Sequence, residues 1–139
     1  MPIEDLARSD IVTADPETTV TDLAAAMAEE NVGSVVITDD GTPVGIVTDR
    51  DLTVRVLGEA LDPTEQTARD VMTDQLHMIA PNAGFYEAAK LMADQGVRRL
   101  PVSDGDTLAG IITVDDIAEL LADEQQHLGD IIRAQRPEY

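Results

Sequence analysis

Apolar and polar residues along this chain follow a period that switches in a fixed order, from strand-like alternation to helical spacing and back. Ile11 to Thr13 reads as a short strand leading to Pro16. Thr19, with Asp22 three residues on, is placed to cap a helix carrying Val20, Leu23, Ala24 and Met27 on one face. Val35 to Thr38 is a β-branched strand, Asp39-Asp40-Gly41 a hairpin turn and Val44 to Val47 the returning strand. Thr48-x-x-Asp51 then starts a helix through Leu52, Val54 and Val56. The order returns with Met78-Ile79, a helix face of Phe85, Ala88, Ala89 and Met92, a strand Leu100 to Val102, a turn at Asp104-Gly105-Asp106, a strand Leu108 to Ile112, and Thr113-x-x-Asp116. Each unit is β-α-β-β-α.

The two units are an internal repeat. Gly45-Ile46-Val47-Thr48 returns as Gly110-Ile111-Ile112-Thr113, and the offset of 65 residues also pairs Asp5 with Asp70, Pro16 with Pro81 and Met27 with Met92, without an insertion. A unit of about 50 residues buries too little surface to stand alone, so the two are expected to pack face to face around one shared core. Residues 1–60 form the first unit, the polar, Pro63-containing stretch 61–69 the connection, 70–123 the second unit and 124–139 a helical tail. Ile117, Leu120, Leu121, Leu128, Ile131 and Ile132 make an apolar stripe on that last helix, interrupted by Gly129. Met27, Met72, Met78 and Met92 read as core filling.

Charge changes the picture more than composition does. Hydrophobic residues at 43% and charged residues at 27% are ordinary for a globular chain, but 9 Lys+Arg against 28 Asp+Glu give a net charge of -19. Lys90 is the only lysine. Such a surface is a poor partner for nucleic acid or anionic membranes, both of which need cations to meet phosphate. The acids are scattered rather than gathered in a tail, which points to a chain adapted to molar salt, where charge repulsion is screened over about 3 Å. No cysteine is present, no apolar run approaches membrane-spanning length, and the N-terminus lacks a signal-like pattern, so a cytoplasmic protein is expected.

Val97-Arg98-Arg99-Leu100-Pro101-Val102, followed by Gly110-Ile111-Ile112-Thr113-x-x-Asp116 and matched by Gly45-Ile46-Val47-Thr48-x-x-Asp51, resembles a tandem of cystathionine β-synthase (CBS) domains, the CBS pair or Bateman module. The resemblance covers about Ile3 to Asp123. It implies an α+β, sandwich-like fold of two CBS units about a pseudo-two-fold axis, with two clefts between them that take adenosine-containing ligands such as AMP, ADP, ATP or S-adenosylmethionine. It also implies homodimers and a regulatory role, here as a free-standing module, toward an enzyme or transporter.

The residues carry this reading part of the way. Thr48 and Asp51, like Thr113 and Asp116, sit where a strand turns into a helix, and such a carboxylate can accept both hydroxyls of a ribose. The same pattern is a capping box that merely satisfies helix amides. Carried over from the family, the first cleft joins Thr48 and Asp51 to His77, Arg98 and Arg99, with the strand backbone near His77 available to a base. The second joins Thr113 and Asp116 to Val12, Gly33 and Ser34. Arg50 is expected to reach the second cleft and its counterpart Asp115 the first. Arg98 and Arg99 suit phosphate, whereas Gly33 and Ser34 bring no charge, so the first cleft is expected to prefer a phosphorylated adenosine and the second to take a nucleoside-like ligand, to bind weakly or to stay empty. With His77 and His127 as the only histidines no metal cluster is visible, and Ser9, Ser34 and Ser103 form no nucleophilic triad pattern. The expectation is therefore a ligand-sensing module, not an enzyme, with a dimerising scaffold holding vestigial clefts as the alternative.

Overall fold

The computed structural model describes residues 1–105 and 107–137; Asp106, expected in a turn, and residues 138–139 lie outside the described residues. After a 3-10 turn at Ile3–Asp5 come β1 (Thr13–Ala14), α1 (Val20–Glu30), β2 (Ser34–Asp39), β3 (Thr42–Thr48) and α2 (Asp49–Leu52), which runs on into a π-type turn at Thr53–Leu57. The second half comprises α3 (Ala68–Val71), α4 (Phe85–Gln95), β4 (Arg99–Ser103), β5 (Leu108–Thr113) and α5 (Val114–Gln135). β1 runs parallel to β2, β2 antiparallel to β3, and β4 antiparallel to β5. The α+β fold and the repeat are both present.

Equivalence at an offset of 65 residues extends to fine detail. The register of β2 and β3 shifts between Ile37 and Thr38, and that of β4 and β5 between Val102 and Ser103. Asn31 and Gly96 both end a helix in the left-handed region, at φ 54° and 65°. Thr19 caps α1 by accepting from the Asp22 N–H, as its spacing implies.

The units do not share one core. Val20, Leu23, Met27, Val35, Ile37 and Val47 form one cluster, and Ile79, Ala88, Met92, Leu100, Val102 and Ile112 another. A fully buried Leu or Ile contributes about 1.5–3 kcal/mol, and each cluster has several. The clusters are knitted together by exchange. Ile3, first in sequence, is buried in the second cluster, whereas Ala68 and Val71 are buried in the first. The Ile3 and Glu4 N–H groups donate to the carbonyls of Ala83 and Pro81, as those of Ala68 and Arg69 donate to Thr18 and Pro16. Ala68 thus falls in the stretch read as a connection and works as core.

Gly45 and Gly110 make this exchange possible. A Cβ at Gly110 would lie 2.8 Å from the Arg8 carbonyl and 3.1 Å from the Ala7 Cβ; at Gly45 it would lie 2.6 Å from the Met72 sulfur. The exchanged segment of one unit therefore crosses against the second hairpin strand of the other where no side chain stands.

Several expectations shift. Ala24 and Ala89 are exposed on the rim of their helices, where a methyl gains little from burial, and Val54 points away from Leu52 and Val56 because it lies half a turn from both. Met78 is exposed, so it fills no core. The first strand is Thr13–Ala14, and its counterpart in the second unit is reduced to one bridge between Ile79 and Val102. Pro101 is the reason: at the equivalent position the Val36 N–H donates to the Val12 carbonyl at 3.0 Å, and proline has no N–H to give the carbonyl of His77. The tail is not a separate element, since α5 runs unbroken from Val114 through Gly129 to Gln135, leaving Leu121, Leu128, Ile131 and Ile132 exposed.

Candidate functional site

Two clefts lie between the units, and they are one site built twice. Each lining residue of the second, apart from Arg99, corresponds at an offset of 65 to a lining residue of the first. The first encloses about 420 Å³ and the second about 240 Å³; ligand pockets usually occupy about 300–1,000 Å³. The first is thus the roomier of the two.

In the first cleft β3 delivers Thr48 and α2 begins at once. The Thr48 N–H donates to Asp51 Oδ2 at 2.9 Å, and the Asp51 N–H donates to the Thr48 hydroxyl at 3.1 Å. The Thr-x-x-Asp turn is therefore a capping box, as its local pattern allows, yet the cap engages only one oxygen of Asp51. Among the described residues, Oδ1 of Asp51 has only the Arg55 Nε, at 3.9 Å, and Arg55 is itself held by donating to the Val71 carbonyl at 2.7 Å. Opposite stand His77, Arg98 and Arg99 of the second unit. The Val114 N–H donates to the Arg98 carbonyl at 2.8 Å, as that of Asp49 does to Gly33 at 3.0 Å, so the backbone of Arg98, like that of its counterpart Gly33, is tied to the start of its own unit's helix. The His77 carbonyl lacks the backbone partner that the Val12 carbonyl finds in Val36, and His77 lines this cleft.

The expected group Thr48, Asp51, His77, Arg98 and Arg99 thus comes together on one wall system. Val12, Gly33, Ser34 and Thr113 likewise gather around the second cleft. Three placements differ. Arg50 lines the first cleft rather than the second, because the first turn of α2 wraps around the cleft that Thr48 opens. Asp115 correspondingly lines the second, though its carboxylate pairs with Arg98 at 3.6 Å. Asp116, 8% exposed, is off the second cleft's wall and pairs with Arg8 at 3.4 Å.

Arg8 was not legible as a site residue from motif alone, nor was Thr73 on the opposite side; the offset of 65 that maps one onto the other was the available signal. Arg99 lines both clefts, so the second cleft is not without cations even though Gly33 and Ser34 supply none. Among the described residues, the shifts in proton affinity lie elsewhere: Thr64 hydrogen bonds lower the Asp62 carboxyl, and the hydrogen-bonded Asp94 raises Lys90. Among the described residues no three His, Cys, Asp or Glu side chains are grouped to hold a metal ion, and no helix is long and apolar enough to cross a membrane.

Comparison with known proteins agrees with the repeat. Residues 3–58 and 68–123 each match the CBS domain. The chain is 39% identical over 120 residues to an uncharacterized protein of Methanopyrus kandleri, covering 85% of this chain and 61% of that longer one. It is 33% identical over 118 residues to Hypoxic response protein 1 of Mycobacterium tuberculosis, covering 84% of this chain and 82% of the relative. The crystal structure of Hypoxic Response Protein I with two coordinated zinc ions superposes with a TM-score of 0.76 at 32% identity, over 86% of this chain and 98% of that one. The CBS domain pair of MJ0100, solved with 5-methylthioadenosine and S-adenosyl-L-methionine, has the same fold, with a TM-score of 0.81 at 22% identity, over 89% of this chain and 98% of that one. The chain belongs to the CBS domain family and carries a tandem CBS pair.

Proposed function

We propose that this CBS pair is a regulatory module whose first cleft takes one adenosine-containing ligand, in the class of AMP, ADP, ATP or S-adenosylmethionine. The observation that carries the reading is the uncapped Oδ1 of Asp51 in a cleft of about 420 Å³ whose far side holds Arg98 and Arg99. The carboxylate accepts ribose hydroxyls, the arginines meet phosphate or another anionic group, and the His77 carbonyl accepts from an exocyclic amine. The bound adenosine and methionine derivatives in the MJ0100 pair support this ligand class. Ligand acts by favouring one packing of the two units, which requires unequal affinity for the two arrangements, and a regulated enzyme or transporter reads the change. The net charge of -19 supports a salt-rich cytoplasm as the setting.

A second reading, a dimerising scaffold, is favoured by the exposed Leu121, Leu128, Ile131 and Ile132 of α5. A second copy of this chain, which presents the same apolar stripe, is the occupant this reading names; Arg133 near the end of α5 is already paired with Asp130, so apolar contact and not charge would hold the two helices together. The readings separate in a thermal-shift screen in molar KCl with AMP, ATP and S-adenosylmethionine. A sensor melts higher with at least one of them, because a ligand of the native state alone raises its stability; a scaffold with vestigial clefts melts unchanged with all.

A further inference from the structure

In the second cleft the carboxylate that corresponds to Asp51 is already taken. Asp116 Oδ2 accepts from the N–H and the hydroxyl of Thr113 at 2.9 and 3.1 Å, and Oδ1 faces the Arg8 guanidinium at 3.4 Å. Both oxygens are used, and the side chain lies off the cleft wall. In the first cleft Asp51 lines the wall, and its Oδ1 has among the described residues only the more distant Arg55.

The difference traces to one position of the repeat. Arg8 bridges Ile111, with hydrogen bonds of 2.9 and 3.0 Å, and Thr73 bridges Ile46, with hydrogen bonds of 3.2 and 3.0 Å. The two backbones therefore stand alike beside their Thr-x-x-Asp turns. From that place an arginine reaches the carboxylate and a threonine is too short. We infer that Arg8 is a lock: it occupies the sugar-binding carboxylate of the second cleft, while Thr73 leaves that of the first open, so that one chain takes one ligand. This rests on the reading of Asp51 as the ribose acceptor. Arg8 is 64% exposed, so the pair need not be strong; an incoming hydroxyl must displace it.

The test is titration calorimetry of the full chain with AMP and with adenosine, on wild type, Arg8→Thr and the reciprocal Thr73→Arg. One ligand per chain is expected for wild type, two for Arg8→Thr, and none for Thr73→Arg, in which the new guanidinium closes on Asp51. Should Arg8→Thr fail to fold, Thr73→Arg alone carries the test. Two ligands in wild type, one or none in Arg8→Thr, or unchanged binding in Thr73→Arg overturns the lock and leaves Asp51 standing. No binding of either ligand by wild type overturns the lock together with the reading of Asp51.

Discussion

Pro101 stands in the second unit where Val36 stands in the first, and this exchange leaves the carbonyl of His77, a residue lining the first cleft, without the backbone donor that engages the carbonyl of Val12 at 3.0 Å. Pro101→Val restores the missing donor in a buried position whose counterpart already holds a valine. The expected outcome is a longer first strand and weaker adenosine binding. One hydrogen bond is worth about 0.5–1.5 kcal/mol, so affinity falls roughly threefold to tenfold. Calorimetry reads the affinity, and protection from hydrogen exchange of the amide that valine introduces at position 101, absent in wild type, reports the new bond.

Gly110→Ala places a methyl 2.8 Å from the Arg8 carbonyl, against backbone that cannot swing aside. Overpacking of this kind costs about 1–3 kcal/mol, read as a lower urea midpoint with an unchanged slope. Gly129→Ala is the opposing control. Its new methyl meets only the flexible end of Arg133, at 3.4 Å, and helix propensity gains about 0.8–1 kcal/mol.

Leu128→Glu introduces charge in the middle of the exposed stripe of α5, away from both cores. If a second copy covers this face, sedimentation of the variant shows a monomer where wild type shows a dimer. An unchanged dimer would place the interface elsewhere.

Much of this was legible in the sequence, because strand and helix periods are local signals and the repeat doubled every one of them. The assignment of Thr48 and Asp51 to a cleft opposite Arg98 came instead from the resemblance to CBS pairs, since the local pattern reads equally as a helix cap. What escaped was tertiary. Nothing local says that Ile3 is core for the second unit, or that Ala68 is core for the first, since each segment is too short to show a period. Arg8 sits outside every motif and gains meaning only when its backbone bridges Ile111. Arg50 was displaced from the expected cleft because the facing of a helix's first turn depends on how the helix leaves its strand.

The account turns on the unequal roles of Asp51 and Asp116, which share a local structure as the third residue of a capping box. Asparagine at either position retains an oxygen for the cap while removing the charge. Calorimetric titration of AMP into Asp51→Asn and Asp116→Asn compares them most directly. A hydrogen bond to a charged group is worth about 1.5–3 kcal/mol, so Asp51→Asn is expected to weaken binding by roughly tenfold or more, with Asp116→Asn near wild type. Equal affinity in the two variants would contradict the assignment of the ligand to the first cleft.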